Sequence, residues 1–364
     1  MFVSRWLTPS LKELTAMEYG IEWRRGFLPS TLTKLKIVTL EDSSSSLVRE
    51  VVDTLRDLPL LEDLTLVNVF HLDHPDPSRP LPQIPLIVCM PHLHSLNLTG
   101  SELAVSHFLD HLAFPSSTRV SVQISNDSFS EPSILPVPPL ISSLCAKLVT
   151  PIDPSDSERE VLQQLMFSSI HVTAVKKDLA SRTGVPHLSL DFGATSDAYL
   201  IALLEAITIG FPLSGVSTLM ITAPFTRRTD TAWKKLALAL GNVDSVVFLS
   251  TDTNTILNIL SPPSNAQFDT QLQSEASPKL PLPRLTSIRV DIIDFNSKLE
   301  NPSVSFIRDL GSVLKMRQDV GGFRVRVDFR GCRNLPVEEL PILLQWAEVS
   351  LDGRTQQRLT DKLQ

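Results

Sequence analysis

The apolar positions of this chain return in a fixed phrase. "LPLLEDLTLVNV" (residues 58–69) sets Leu61, Leu64 and Leu66 among polar residues, and "MPHLHSLNLTG" (90–100) repeats the spacing with Leu93, Leu96 and Leu98. "LPRLTSIRVDI" from Leu282 is a third copy, with looser ones in "TPSLKELTAM" from Thr8 and "LPSTLTKLKIV" from Leu28. Within the phrase, Leu64, Thr65 and Leu66 alternate with a period of two, so the leucines point to one side of a strand and Thr65 to the other. Each copy therefore predicts a short, half-buried strand.

After the second copy the period changes. In "SELAVSHFLDHLAF" (101–114) Leu103, Phe108, Leu109, Leu112 and Ala113 lie mainly along one helical stripe, with Ser101 placed to cap it. The same order recurs: "LTKLKIV" then "SSSSLVREVVDTLRDL", "PHLSLDFG" then "TSDAYLIALLEAITIG", "VSTLMITA" then "TDTAWKKLALALG", and "LTSIRVDII" then "NPSVSFIRDLGSVLKM". "RVSVQIS" with "PPLISSLCAKL" is compatible with one more pair. Repeated strand–helix units imply parallel strands, because each helix returns the chain to start the next strand in the same direction. "LPVEELPILLQW" (335–346) reads as a terminal amphipathic helix with Pro341 near its start and Leu340, Leu344 and Trp346 closing the core.

Two architectures fit: an α/β globule with an open or closed sheet, and a solenoid with one strand and one helix per turn. The phrase L-x-x-L-x-L favours the solenoid, because in a leucine-rich repeat each leucine fills the same axial slot in successive coils. A Rossmann-type sheet would instead read as nearly continuous apolar strands after a glycine-rich first turn. The expected fold is α/β, a leucine-rich-repeat-like solenoid with parallel strands on its concave face and helices on its convex face. One irregular domain is expected over residues 1–350, with a weak hinge near 151–157, a mobile Pro-rich insertion at 261–283 and a polar C-terminal tail at 351–364.

Composition narrows the partners. Of the 364 residues, 42% are hydrophobic and 20% charged, enough for a large core, and the net charge of −7 argues against nucleic acid or an anionic membrane. The opening "MFVSRWLTPSLKEL" has no apolar run of signal-peptide length, and no segment reaches the roughly 20 apolar residues of a membrane span, so a cytoplasmic or nuclear location is expected. Cys89, Cys145 and Cys332 are odd in number, widely spaced and set among apolar neighbours, which predicts buried reduced thiols rather than disulfides or a zinc site.

No nucleophile elbow, phosphate loop, dinucleotide turn or H-E-x-x-H pair occurs, so no catalytic, cofactor or metal residue is assigned. His107 and His111 have the i, i+4 spacing of metal ligands, but the repeat puts them on an outer helix, away from His92 and His94 at the strand side. A solvated or helix-capping role is expected for them. Asp63, Asp191, Asp291 and Asp328 flank different strands and read as strand-end polar residues.

The phrases "LPLLEDLTLVNV", "MPHLHSLNLTG" and "LPRLTSIRV", in a Ser- and Pro-rich chain with irregular repeats, resemble the leucine-rich-repeat region of F-box-like proteins of mushroom-forming fungi. The resemblance covers most of the chain. It implies the substrate-recognition part of an F-box-type ubiquitin-ligase receptor, in which an N-terminal F-box docks on the ligase adaptor and the repeats choose the substrate. This chain departs from the pattern, since residues 1–19 lead almost directly into repeat-like sequence and too few residues follow Trp346 to build the module there. It is therefore expected to lack an F-box and not to bind the adaptor.

The expectation is a non-catalytic, monomeric protein-interaction module without cofactors, whose partner is a protein, such as a ubiquitylation substrate. An α/β enzyme with a deep pocket at its strand ends and a truncated gene product without a partner are the alternatives. The strand-centre stripe Thr15, Lys36, Thr65, Asn97, Ser121, Ser189, Met220, Val247, Arg289 and Arg326 is expected along one surface. Within it and beside it, Lys36, Thr65, Asn97, Ser121, Arg289, Arg324 and Arg326 are the candidate protein-binding residues. Arg289 and Arg326 read as equivalent positions in "SIRVD" and "RVRVD", each followed two residues on by Asp291 or Asp328. Either these charges pair with one another, or an acidic or phosphorylated partner segment docks on Arg289, Arg324 and Arg326.

Overall fold

In the computed structural model, which describes residues 10–18, 23, 26–39, 46–71, 87–124, 139–149, 162–167, 171–176, 188–191, 197–222, 227–262, 280–295 and 305–353, the repeated phrase folds the same way each time. Its opening residues make one tight turn: Leu61 N donates to Leu58 O (3.3 Å), Leu93 N to Met90 O (3.2 Å) and Leu285 N to Leu282 O (3.1 Å). The polar pair that follows hooks onto the previous copy. Glu62 and Asp63 N–H both donate to Thr33 O, His94 and Ser95 to Glu62 O, and Thr286 and Ser287 to Asp244 O. Those paired bonds set the register before the strand begins. Just past the strand, Glu18, Asn68, Ser250 and Ile292 adopt φ between 52° and 64°, and the N–H of each reaches the next strand's carbonyl, as in Asn68 to Thr99 (2.8 Å). A left-handed residue is costly for a β-branched side chain such as Ile292, and its recurrence at one place shows the ladder bond offsetting that cost.

The chain groups into two compact units, Met1–Glu160 with Ile170–Ala194, and Val161–Ser169 with Thr195–Gln364. The expected hinge at 151–157 lies outside the described residues. The first unit contains β1 (Glu13–Met17), β2 (Lys34–Val38), β3 (Ser46–Leu47), α1 (Val48–Leu55), β4 (Asp63–Val67), β5 (Phe70–His71), β6 (Val88–Cys89), β7 (Ser95–Gly100), α2 (Glu102–Asp110), β8 (Leu112–Ala113), β9 (Arg119–Ile124) and α3 (Pro139–Val149). Next in the chain, β10 (Leu162–Phe167) belongs to the second unit, while β11 (His171–Lys176) and β12 (Leu188–Asp191) return to the first.

The main sheet of the first unit runs β1-β2-β4-β7-β9-β12-β11, with β3–β5 and β6–β8 as small parallel pairs. Its strands are parallel up to β12, but β11 joins β12 antiparallel, a correction to the all-parallel expectation. Leu35, Ile37, Leu64, Leu66, Leu96, Leu98, Val120 and Val122 are buried. Val51 and Leu55 of α1, Phe108 and Leu109 of α2, and Leu140 and Leu144 of α3 are buried too. Each such side chain contributes about 1.5–3 kcal/mol by leaving water. Ser101 is the N-cap of α2, yet its side chain makes no capping bond, contrary to expectation.

The second unit continues with α4 (Asp197–Gly210), β13 (Thr218–Thr222), α5 (Asp230–Ala239), β14 (Ser245–Leu249), α6 (Thr253–Leu260), β15 (Ser287–Asp291), α7 (Phe306–Gly321), β16 (Val325–Arg330), α8 (Leu340–Leu344) and β17 (Ala347–Leu351). Its sheet order is β10-β13-β14-β15-β16-β17, all parallel. Asp252 caps α6 by accepting from Thr255 N (2.9 Å) and Ser305 caps α7 by accepting from Arg308 N (3.4 Å). Gly322, at φ 70°, ends α7 where a residue with a Cβ would be strained.

β10, α6 and β17 here, and β3, β5, β6, β8 and β11 of the first unit, are absent from the sequence reading, and β8 stands where the helical stripe of 101–114 was expected to continue. At the terminal helix Leu340 is buried as expected, but Leu343 takes the inward position and Leu344 is exposed. The tail expected from 351 begins with the last residue of β17, and 354–364 lie outside the described residues.

Most of the expected insertion at 261–283 is likewise outside the described residues, but both of its roots are held by one side chain. Arg317 of α7 is buried and donates through NH1 to Leu260 O (3.4 Å) and Pro281 O (2.8 Å) and through NH2 to Leu282 O. Burial among carbonyls pulls its pKa down to about 10. Among the described residues, no helix is long and apolar enough to cross a membrane.

Candidate protein-binding surface

Strand alternation decides what each sheet presents opposite its helices. In the first unit the buried leucines bracket one residue per strand, and the parallel register aligns those residues into a row. Thr15 pairs with Lys36, Lys36 with Thr65, Thr65 with Asn97, Asn97 with Ser121, and Ser121 with Ser189. Thr15 and Lys36 are exposed and the other four half-buried. The row expected from the sequence is therefore continuous across six strands of this unit. Asn97 Nδ2 donates to Thr65 Oγ1 on the neighbouring strand and to Ser95 Oγ on its own, both at 3.3 Å. One row over, Lys34 Nζ meets Glu13 Oε1 at 2.9 Å, an exposed pair that adds little stability.

In the second unit the corresponding row is Met166, Met220, Val247, Arg289, Asp328 and Ser350. Met220, Val247 and Arg289 sit where expected. Arg326 does not: it pairs with Ser287 on one side and Glu348 on the other, and the residue level with Arg289 is Asp328. The likeness of "SIRVD" to "RVRVD" suggested an alignment two residues out of register. A shift of two keeps the same face, which is why Arg326 still faces with Arg289 while lying in another row.

The charges form a lattice. Arg289 grips Asp291 with two bonds, Nε to Oδ1 at 2.9 Å and NH2 to Oδ2 at 2.7 Å. On β16, Arg330 donates to Asp328 through Nε (2.7 Å) and NH2 (2.6 Å), and Ser350 Oγ lies 2.8 Å from Asp328 Oδ1. Because Arg289 lies level with Asp328 and Asp291 with Arg330, signs alternate both along and across the strands. The Asp291 hydrogen bond raises the Arg289 pKa against desolvation. Burial works against ionising Asp328, but the bonds from Arg330 and Ser350 and the charges of Arg330 and Arg326 prevail and hold it below the usual carboxylate value.

Arg324 leaves the group, because its NH2 donates to Leu344 O at the end of α8. Arg330, which the sequence reading passed over, belongs to the lattice. Its signal was the i, i+2 spacing of "RVRVDFR", which puts Arg324, Arg326, Asp328 and Arg330 on alternate positions.

His107 and His111 meet edge to face with ring centroids 4.8 Å apart. His107 is buried rather than solvated, and burial, aided by the neighbouring His111 and opposed by Asp110, lowers its pKa. His111 is the C-cap residue of α2, its backbone N–H donating to Leu109 O and Phe108 O. Cys145 and Cys332 are buried, and burial lifts their pKa values to about 12 and about 11, whereas Cys89 is exposed, against expectation. As the second residue of the short strand β6 it falls on the open side of the alternation. Among the described residues, no group of three His, Cys, Asp or Glu side chains is placed to hold a metal ion.

Two properties thus mark these surfaces, a register that lines up one chosen side chain per strand and, in the second unit, charged side chains bonded to their neighbours. Such an arrangement can meet another surface by shape and hydrogen bonding. Compared with protein-family models and with curated proteins, the chain matches none of either.

Proposed function

We propose that this chain is a non-catalytic protein-interaction module and that its strand–helix units are coils of a leucine-rich-repeat-like solenoid, strands on the concave side and helices on the convex side. The supporting observation is the in-register row of strand-centre residues, Thr15 to Ser189 in one unit and Met166 to Ser350 in the other. A parallel sheet presenting aligned side chains opposite its helices is the surface by which repeat proteins bind partners. The resemblance of the repeated phrase to F-box-like proteins makes substrate recognition for a ubiquitin ligase the process to test first. On this reading the partner is a protein and no cofactor takes part.

The test compares proteins that co-purify with the tagged chain, with a variant carrying Asn97→Asp and Arg289→Glu on the row, and with one carrying Lys234→Glu and Lys235→Glu on α5. The proposal expects the row variant, folded by circular dichroism, to lose specific partners that the α5 variant retains. Equal recovery from both would dismiss the row as the binding surface.

A further inference from the structure

We infer that the outward face of the second unit takes an uncharged, aromatic-bearing segment of a partner protein, with the aromatic ring lying on Met220 and Val247 and against the guanidinium of Arg289. This inference rests on reading that face as a recognition surface and adds the chemistry of what it recognises. Three observations carry it.

The first is the composition of the row. Met166, Met220 and Val247 are part-exposed apolar side chains on three adjacent strands, and Leu249, two residues beyond Val247 on the same face of β14, widens the strip. The first unit has a counterpart one row on, Met17, Val38 and Val67, but that strip runs into Thr99 rather than into an arginine. Methionine side chains adapt to the shape of what they meet and make favourable sulfur–aromatic contacts.

The second is that the charge beside this strip is already balanced. Both bonds of Arg289 to Asp291 and both of Arg330 to Asp328 are formed, and Asp328 also lies level with Arg289. A phosphate or carboxylate approaching Arg289 would displace Asp291 or sit uncompensated near two carboxylates. That disfavours the anionic segment suggested by counting arginines along the sequence.

The third is which partner of each pair faces outward. The Arg289 side chain is 40% exposed and its Asp291 partner 10%, and the Arg330–Asp328 pair divides in the same way, 45% to 12%. An incoming molecule meets guanidinium, not carboxylate. A guanidinium fixed by two hydrogen bonds has little freedom left to lose, and its π system stacks on aromatic rings even when its charge is paired. Arginine beside an apolar strip is the combination that matches Trp and Tyr anchors across interfaces.

The experiment is selection of short random peptides displayed on phage against the full chain. Enriched peptides are then titrated by fluorescence anisotropy against the parent and the variants Met220→Ser, Val247→Asp, Arg289→Ala, Arg326→Ala and Asn97→Asp, each first checked for an unchanged unfolding midpoint. We expect enriched peptides to carry Trp, Tyr or Phe without an acidic excess. They should lose about tenfold or more on Val247→Asp, several-fold on Met220→Ser and Arg289→Ala, and nothing on Arg326→Ala. Acidic peptides that depend on Arg326 would overturn the aromatic chemistry and leave the recognition reading standing, as would peptides sensitive only to Asn97→Asp. Peptides indifferent to every one of these variants, or no enrichment at all, would overturn both.

Discussion

In the first unit the row opposite the helices is made of hydroxyls and an amide, Thr15, Thr65, Asn97, Ser121 and Ser189, with Lys36 among them. In the second the row runs from Met220 and Val247 into Arg289, Asp328 and Ser350. One position along each strand, the two are alike: Leu64 and Leu96 in one, Val246 and Ile288 in the other, all buried. The difference teaches where this architecture is constrained. Residues facing the helices must be apolar and of the right volume, and the backbone ladder is indifferent to side chains. The outward row answers to neither demand and is free to differ between the units.

Predictions that break or sharpen this comparison begin with the face the units share. Leu64→Ala and Leu96→Ala should each cost about 2–4 kcal/mol, and Val290→Ala should also destabilise, each read from the urea midpoint. Unchanged midpoints would refute the shared buried face. Next is Arg317→Met, which removes the side-chain donor of the carbonyls of Leu260 and Pro281, Leu282 O keeping its bond from Leu285 N, and should cost about 2 kcal/mol. Chemical unfolding of the variant checks it.

On the outward rows the units should part. Asp328→Ala removes the acceptor of Arg330 and Ser350 and should cost about 1.5 kcal/mol, whereas Asn97→Ala, which loses only two long bonds, should cost about 0.5 kcal/mol or less. Equal losses in the two melting curves would remove the distinction between a charged lattice and a neutral row.

Acid should separate the units as well. His107, lowered by burial below its usual 6.5, takes up its proton more readily when unfolded. Stability therefore declines as pH falls from 6.5 toward the folded value and then levels off. Asp328, held below its usual 3.8, contributes fully above that value and loses its contribution as pH falls through the folded one. Hydrogen exchange corrected for intrinsic rates should loosen α2 at a higher pH than β16, and His107→Leu should abolish the first loss. Simultaneous loosening would place the acid sensitivity elsewhere.

Much of this fold was legible because it is local. Strand and helix periods, the buried Leu35, Leu64, Leu96 and Val290, and the facing of Thr65, Asn97 and Arg289 follow from side-chain alternation, which the order of residues states outright. β11, β17 and the two-residue strands β3, β5, β6 and β8 were missed because their apolar positions do not follow the L-x-x-L-x-L phrase, and α6 because it spans only eight residues. β10 was passed over although Leu162, Leu165 and Phe167 keep the spacing. Leu343 and Leu344 were exchanged for a related reason: adjacent apolar residues on a helix carry no periodic signal to say which turns inward.

What the chain by itself determined is which residues are apolar at strand or helix period, and hence which faces must be covered. Only the tertiary structure decided which strands stand beside which and in what register. Register depends on backbone bonds such as those from Thr286 and Ser287 to Asp244 O, and backbone groups are the same at every residue. Sequence similarity therefore aligned Arg289 with Arg326, while the ladder set Arg289 beside Asp328, and that two-residue difference separates an arginine cluster that would draw an anion from a lattice that has already neutralised itself.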